Sequence, residues 1–101
     1  MSQKPTKAER LLAGETIISR EPGNSMTPII GHRQPVRIAP TTWDTVEKGD
    51  IVFCKVRGRY YTHLVKATNL KRGCLIGNNQ GHVNGWTKAV FGKVVEILKR
   101  P

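Results

Sequence analysis

Acidic residues are scarce in this chain. It has 7 Asp and Glu against 17 Lys and Arg, a formal net charge of +10 over 101 residues. That balance suits a partner of opposite sign, such as nucleic acid or an acidic protein. The basic residues are scattered from Lys4 to Arg100 without a long run, which is also how a solvated surface looks.

Long hydrophobic runs are missing as well. The longest, such as Ile51-Val52-Phe53-Cys54, cover a few residues, far short of the ~20 that a spanning helix needs. The Lys-rich N-terminus has no apolar segment behind it and is not a signal peptide. The sequence therefore predicts no membrane association and a cytoplasmic location. Neither a standard membrane-anchored enzyme nor a protein with an N-terminal DNA-reading domain is expected.

Cysteine is limited to Cys54 and Cys74, in strand-like segments without CxxC spacing. A reduced structural pair is expected. A zinc site using His32 or His82 has no spacing signature, so no metal and no cofactor is expected.

What is present is ordinary globular composition, with 38% hydrophobic and 24% charged residues. The length suits one domain with one modest core. Residues 1–10 are polar and basic, and read as a flexible arm or short helix ahead of a β domain over 11–101.

Short strands dominate the rest. Thr16-Ile17-Ile18 marks a first strand, and Glu21-Pro22-Gly23-Asn24 is turn chemistry. Pro28 suits the first turn of a short helix starting at Met26. Pro35 to Pro40 alternates apolar and polar residues between two prolines. Ile51 to Val56 and Tyr60 to Lys66 form a hairpin around Arg57-Gly58-Arg59. Leu75-Ile76 and Val90 to Leu98 read as two more strands, with 78–86 as a long polar loop between them. The fold class is mainly β.

Three segments could carry chemistry. A serine hydroxyl is a poor nucleophile until a base takes its proton. Gly23, two residues before Ser25, lets the chain turn tightly, so that main-chain N–H groups near Gly23, Asn24 and Met26 could face an oxyanion. His63 lies in a strand and can act as a neutral base near its ordinary pKa of about 6.5. Tyr61, His63 and Val65 should share one strand face, and Lys66 should point to the other.

The segment Gly23-Asn24-Ser25-Met26-Thr27-Pro28 resembles the G-x-S-M-x-P serine motif of signal peptidases and LexA-type self-cleaving repressors. Gly49-Asp50-Ile51-Val52 and Thr62-His63-Leu64-Val65 resemble the strands that follow it in those families, the second carrying the general base. The base is a lysine in bacterial signal peptidases and LexA-type proteins, and a histidine in endoplasmic-reticulum-type and archaeal signal peptidases; this chain has the histidine form. Leu75-Ile76-Gly77-Asn78-Asn79 resembles the later G-D-N box, and Phe91-Gly92-Lys93-Val94-Val95 the closing strand. The likeness runs from about Gly14 to Ile97, in family order.

The resemblance implies a single domain of coiled, barrel-like antiparallel sheets with short helical turns. It implies a Ser25–His63 dyad cleaving a peptide or protein substrate. It departs from the family at Asn78, where the G-D-N box has an aspartate; Asp50 or Asp44 could supply that carboxylate, with Asn78 and Asn79 shaping the loop. Leu12-Ala13-Gly14-Glu15 resembles the Ala-Gly self-cleavage site of LexA-type proteins, though it lies only 11 residues before Ser25.

A non-catalytic relative is the other reading. It would keep the fold as a binding module for nucleic acid or an acidic protein. Lys55, Arg57 and Arg59 share a strand face by spacing and are its candidate contacts, and Ser25 would then simply be a helix cap.

Overall fold

The computed structural model describes residues 3–100. The chain runs α1 (Lys7–Leu12), β1 (Ile17–Arg20), β2 (Pro35–Pro40), a 3-10 turn (Trp43–Thr45), β3 (Ile51–Val56), β4 (Arg59–Asn69), β5 (Gly73–Gly77), β6 (Val83–Thr87) and β7 (Val90–Ile97). The strands form one antiparallel sheet in the order β1-β2-β7-β3-β4-β5-β6. The domain is mainly β, as the sequence predicts.

The sheet is not closed into a barrel; β1 and β6 are its two edges. It is nonetheless coiled. Thr87 Oγ1 donates to the Lys55 carbonyl at 2.7 Å, and the Lys55 N–H donates to the Ala89 carbonyl at 2.9 Å. The end of edge strand β6 therefore folds back onto β3.

Strand β3 is central and buried on both faces. Val52, Cys54 and Val56 face a core shared with Val65, Cys74, Ile76 and Val90. Phe53 faces the other way, into a second cluster with Ala8, Leu11, Ile17, Val36 and Ile38. Period-2 alternation explains how one strand serves both. Both cysteines are buried and free.

Helix α1 closes the second cluster. Thr6 and Glu9 form a reciprocal capping box, so two otherwise orphaned N–H groups are satisfied. Ala8 and Leu11, three residues apart, are the buried face. The predicted arm over 1–10 thus yields its last four residues to a packed helix; Met1 and Ser2 lie outside the described residues. The Ala13–Gly14 pair ends this helix, with Ala13 N–H on the Glu9 carbonyl and Gly14 N–H on the Leu11 carbonyl.

Two further differences bear on the site. Residues 78–86 are not all loop, because 83–87 pair with β5 as an edge strand. Asn84 and Gly85 have poor strand propensity, and pairing overrides it. No short helix begins at Met26 either. Residues 25–30 form successive turns, with a cis Thr27–Pro28 bond.

Candidate active site

Two segments meet at the site: the β1–β2 connection and strand β4. His63 comes from β4, opposite Val52 of β3, and is 8% exposed. Ser25 sits on the exposed connection. Its Oγ lies 3.2 Å from His63 Nε2. The sequence-predicted pair is therefore within hydrogen-bond reach across 38 residues of chain.

The serine loop is held at many points. Gly23 has φ +102, a conformation that glycine adopts without a Cβ penalty. The Arg33 N–H donates to the Glu21 carbonyl, and the Ile30 N–H to the Met26 carbonyl. The Met26 side chain is buried and anchors the loop. Asn79 clamps the loop from outside: its N–H donates to the Ser25 carbonyl and its Nδ2 to the Thr27 carbonyl, both at 2.9 Å.

On the far side of the imidazole, Asn84 Oδ1 lies 2.8 Å from His63 Nδ1. An amide oxygen only accepts, so Nδ1 carries the ring proton. Nε2 is then unprotonated and faces the Ser25 hydroxyl. Tyr61, two residues earlier on the same strand face, stacks on the ring with centroids 4.9 Å apart. The expectation that Tyr61 and His63 share a face is met.

Burial pushes the His63 pKa below its ordinary value. The Asn84 hydrogen bond and the Glu21 carboxylate oppose that shift, while His82 and Lys66 add to it. The ring is thus neutral at neutral pH and able to accept a proton. An amide partner orients it without supplying the negative charge that would stabilise its cation.

Glu21 is fixed beside the pair. It accepts a short hydrogen bond from the buried Thr62 hydroxyl, and Lys7 Nζ is 3.9 Å from its Oε1. A cleft of about 30 Å³ opens next to Ser25, lined on its apolar side by Met26, Ile30 and Val36. That is room for one small group. A wider hollow of about 410 Å³, with Phe53 and Tyr60 in its lining, adjoins it across Glu21 and Pro22.

Other expected residues are placed elsewhere. The Gly23 N–H donates to His32 Nδ1 at 2.8 Å, so Gly23 is not an oxyanion donor. Among the described residues, the N–H groups of Asn24, Ser25 and Met26 have no acceptor. Asp50 does not touch the ring: its carboxylate accepts the Glu47 N–H and pairs with Lys93 at 3.4 Å. Asp44 accepts from the Thr42 hydroxyl. Asn78 Oδ1 is occupied by the N–H groups of Gln80 and His82. The ring partner is Asn84, which the sequence places in the polar 78–86 loop. The turn-like Asn84-Gly85 pair hides its strand position, which only pairing with β5 creates.

Lys55, Arg57 and Arg59 do not share a face. Arg57 is in the turn at φ 50, and Arg59 pairs directly with Val56, which puts it on the face opposite Lys55. Among the described residues no helix is long and apolar enough to cross a membrane. In comparisons with known proteins, the chain matches no family model, and no curated protein matches it.

Proposed function

We propose that this domain is a serine peptidase of the LexA-type and signal-peptidase kind, with Ser25 as nucleophile and His63 as general base. The observation that carries the reading is the continuous relay Ser25 Oγ, His63 Nε2, His63 Nδ1, Asn84 Oδ1, at 3.2 and 2.8 Å. Any buried histidine needs a partner on each nitrogen; here one partner is a serine hydroxyl on an exposed loop and the other an amide that fixes the tautomer. A helix cap is also no longer an account of Ser25, because no helix follows it.

The steps follow from the geometry. Ser25 Oγ attacks the carbonyl carbon of a peptide bond as its proton passes to His63 Nε2. Negative charge develops on the carbonyl oxygen. The N–H groups of Ser25 and Met26, free of other acceptors, are the donors at hand to meet it. The imidazolium then gives its proton to the leaving amine, and the acyl-enzyme is released by water that His63 deprotonates. Asn84 keeps Nδ1 protonated throughout, as an amide does for the base histidine of papain-like proteases.

The small cleft beside Ser25 favours a small residue, such as alanine, next to the scissile bond. Ala13–Gly14 is such a pair, but it terminates α1 rather than lying extended at the cleft. Cleavage there would be between molecules. The test is incubation of the purified protein with a peptide library and with a Ser25→Ala copy of itself. Mass spectrometry should find cuts after small residues, absent when Ser25→Ala is the only protein. A lack of any Ser25-dependent product would defeat the reading.

A further inference from the structure

Trp43 and Trp86 flank β5 from its two faces: Trp86 pairs with Leu75, on the face away from Cys74, and Trp43 packs against the core that holds Cys74. Each has a cation over its ring. Arg72 Cζ is 4.6 Å from the Trp86 centroid, and Lys88 Nζ is 4.8 Å from that of Trp43. The two pairs are joined through Gly73 and Cys74. A Cβ on Gly73 would meet the Lys88 side chain, and Cys74 Sγ donates to the Trp43 carbonyl at 3.5 Å.

The turn between β4 and β5 is held open toward solvent. Asn69 Oδ1 accepts the N–H groups of Lys71 and Arg72 at 2.9 and 3.0 Å. Leu70, at its tip, is 88% exposed. Lys71, Arg72 and Lys88 are all exposed, and none forms an ion pair among the described residues. Next to Lys71 and Lys88 is a cleft of about 180 Å³ lined by Trp43, Asp44, Val46, Thr68, Asn69 and Leu70.

We propose that this end of the sheet binds single-stranded nucleic acid: a base enters the Trp43–Leu70 cleft while Lys71 and Lys88, and Arg72 across β5, take the flanking phosphates. The cleft is large enough for one planar base and has an aromatic wall, which suits stacking. Lys88 over the Trp43 ring and Lys71, next to Leu70 of the cleft, with Arg72 across β5 at the same turn, supply the electrostatic term in a chain of net charge +10. The Asp44 carboxylate at the cleft argues against an acidic side chain as the occupant. It can accept a hydrogen bond from the exocyclic amine of a base. A duplex keeps its bases stacked and cannot fill the cleft. This surface uses none of the peptidase residues, and it replaces Lys55, Arg57 and Arg59 as the candidate nucleic-acid contacts.

Trp43, in the wall of the cleft, is itself the probe. Titration with an oligodeoxycytidylate of about 12 nucleotides, a length within the usual range of single-strand sites, should quench intrinsic fluorescence. The logarithm of affinity should fall with the logarithm of salt at a slope of about −2, for three phosphates at about −0.7 each. Arg72→Glu and Lys88→Glu should each weaken binding about tenfold or more and flatten that slope. Trp43→Leu should cost about tenfold. Because Trp43→Leu also touches packing, the exposed charge reversals are the primary variants, and their Ser25 reactivity should be unchanged. Binding without quenching, affinity indifferent to both charge reversals, or equal competition by polyglutamate or duplex would overturn the proposal.

Discussion

The carboxamide oxygen of Asn84 lies 2.8 Å from His63 Nδ1, on the side of the ring away from Ser25. That contact fixes which nitrogen faces the nucleophile. Asn84→Ala frees the ring to take the wrong tautomer and orientation, and should lower Ser25 reactivity on the order of 10² or more. Asn84→Asp keeps the acceptor and adds charge, so it should raise the His63 pKa and raise reactivity. Phosphonate labelling rates at several pH values check both variants.

The pH profile follows from the burial of His63. Its pKa lies below the ordinary 6.5, chiefly through desolvation. The base form should therefore persist into mildly acidic solution, and labelling should rise with pH to a plateau by neutrality, with its midpoint below 6.5. Asn84→Asp should move that midpoint up. The same shift affects stability. The unfolded state protonates first as pH falls, so this contribution is complete above 6.5 and is lost as pH drops through the folded-state value. Urea melts from pH 7 down to pH 5 would register the decline.

Alkaline solution acts through the cysteines. Burial pushes Cys54 up to about 12 from an ordinary 9.0, with Cys74 and Glu21 adding to the shift. A raised pKa favours the folded state below 9.0 and loses that effect as pH climbs toward 12. Stability should fall progressively across that window. Cys54→Ala should shrink the fall relative to its own stability at neutral pH, leaving a smaller decline from Cys74, which burial also raises.

Asn79 tests the loop clamp. Its two hydrogen bonds to the Ser25 and Thr27 carbonyls hold the nucleophile segment. Asn79→Ala should slow Ser25 labelling several-fold while costing about 1 kcal/mol of stability. Ile38→Ala is the contrast. Ile38 is fully buried against the helix side of the sheet, and the truncation should cost about 2–5 kcal/mol in a urea melt.

The sequence marks some of this directly. Proline at each end bounds β2 at Pro35 and Pro40, and the apolar run of Ile51 to Val56 sets β3, whose two buried faces leave no polar interruption until Lys55. Ser25 and His63 were legible through motif resemblance. The orienting residue was not, because an Asn-Gly pair reads as a turn and only pairing with β5 makes 83–87 a strand. Nor was the role of Asn78 legible. Its oxygen is used by the N–H groups of Gln80 and His82. The capping box that makes α1 was present in Thr6-Lys7-Ala8-Glu9, hidden by the polar, basic surroundings.

The chemistry of the site turns on Ser25 being a nucleophile activated by His63. The direct measurement is mass spectrometry of the intact protein after reaction with a fluorophosphonate, with the modified residue located by fragmentation. One adduct is expected, on Ser25, abolished by Ser25→Ala and slowed at least a hundredfold, to order of magnitude, by His63→Ala. An unmodified protein, or labelling of Ser25 that is indifferent to His63→Ala, would contradict it.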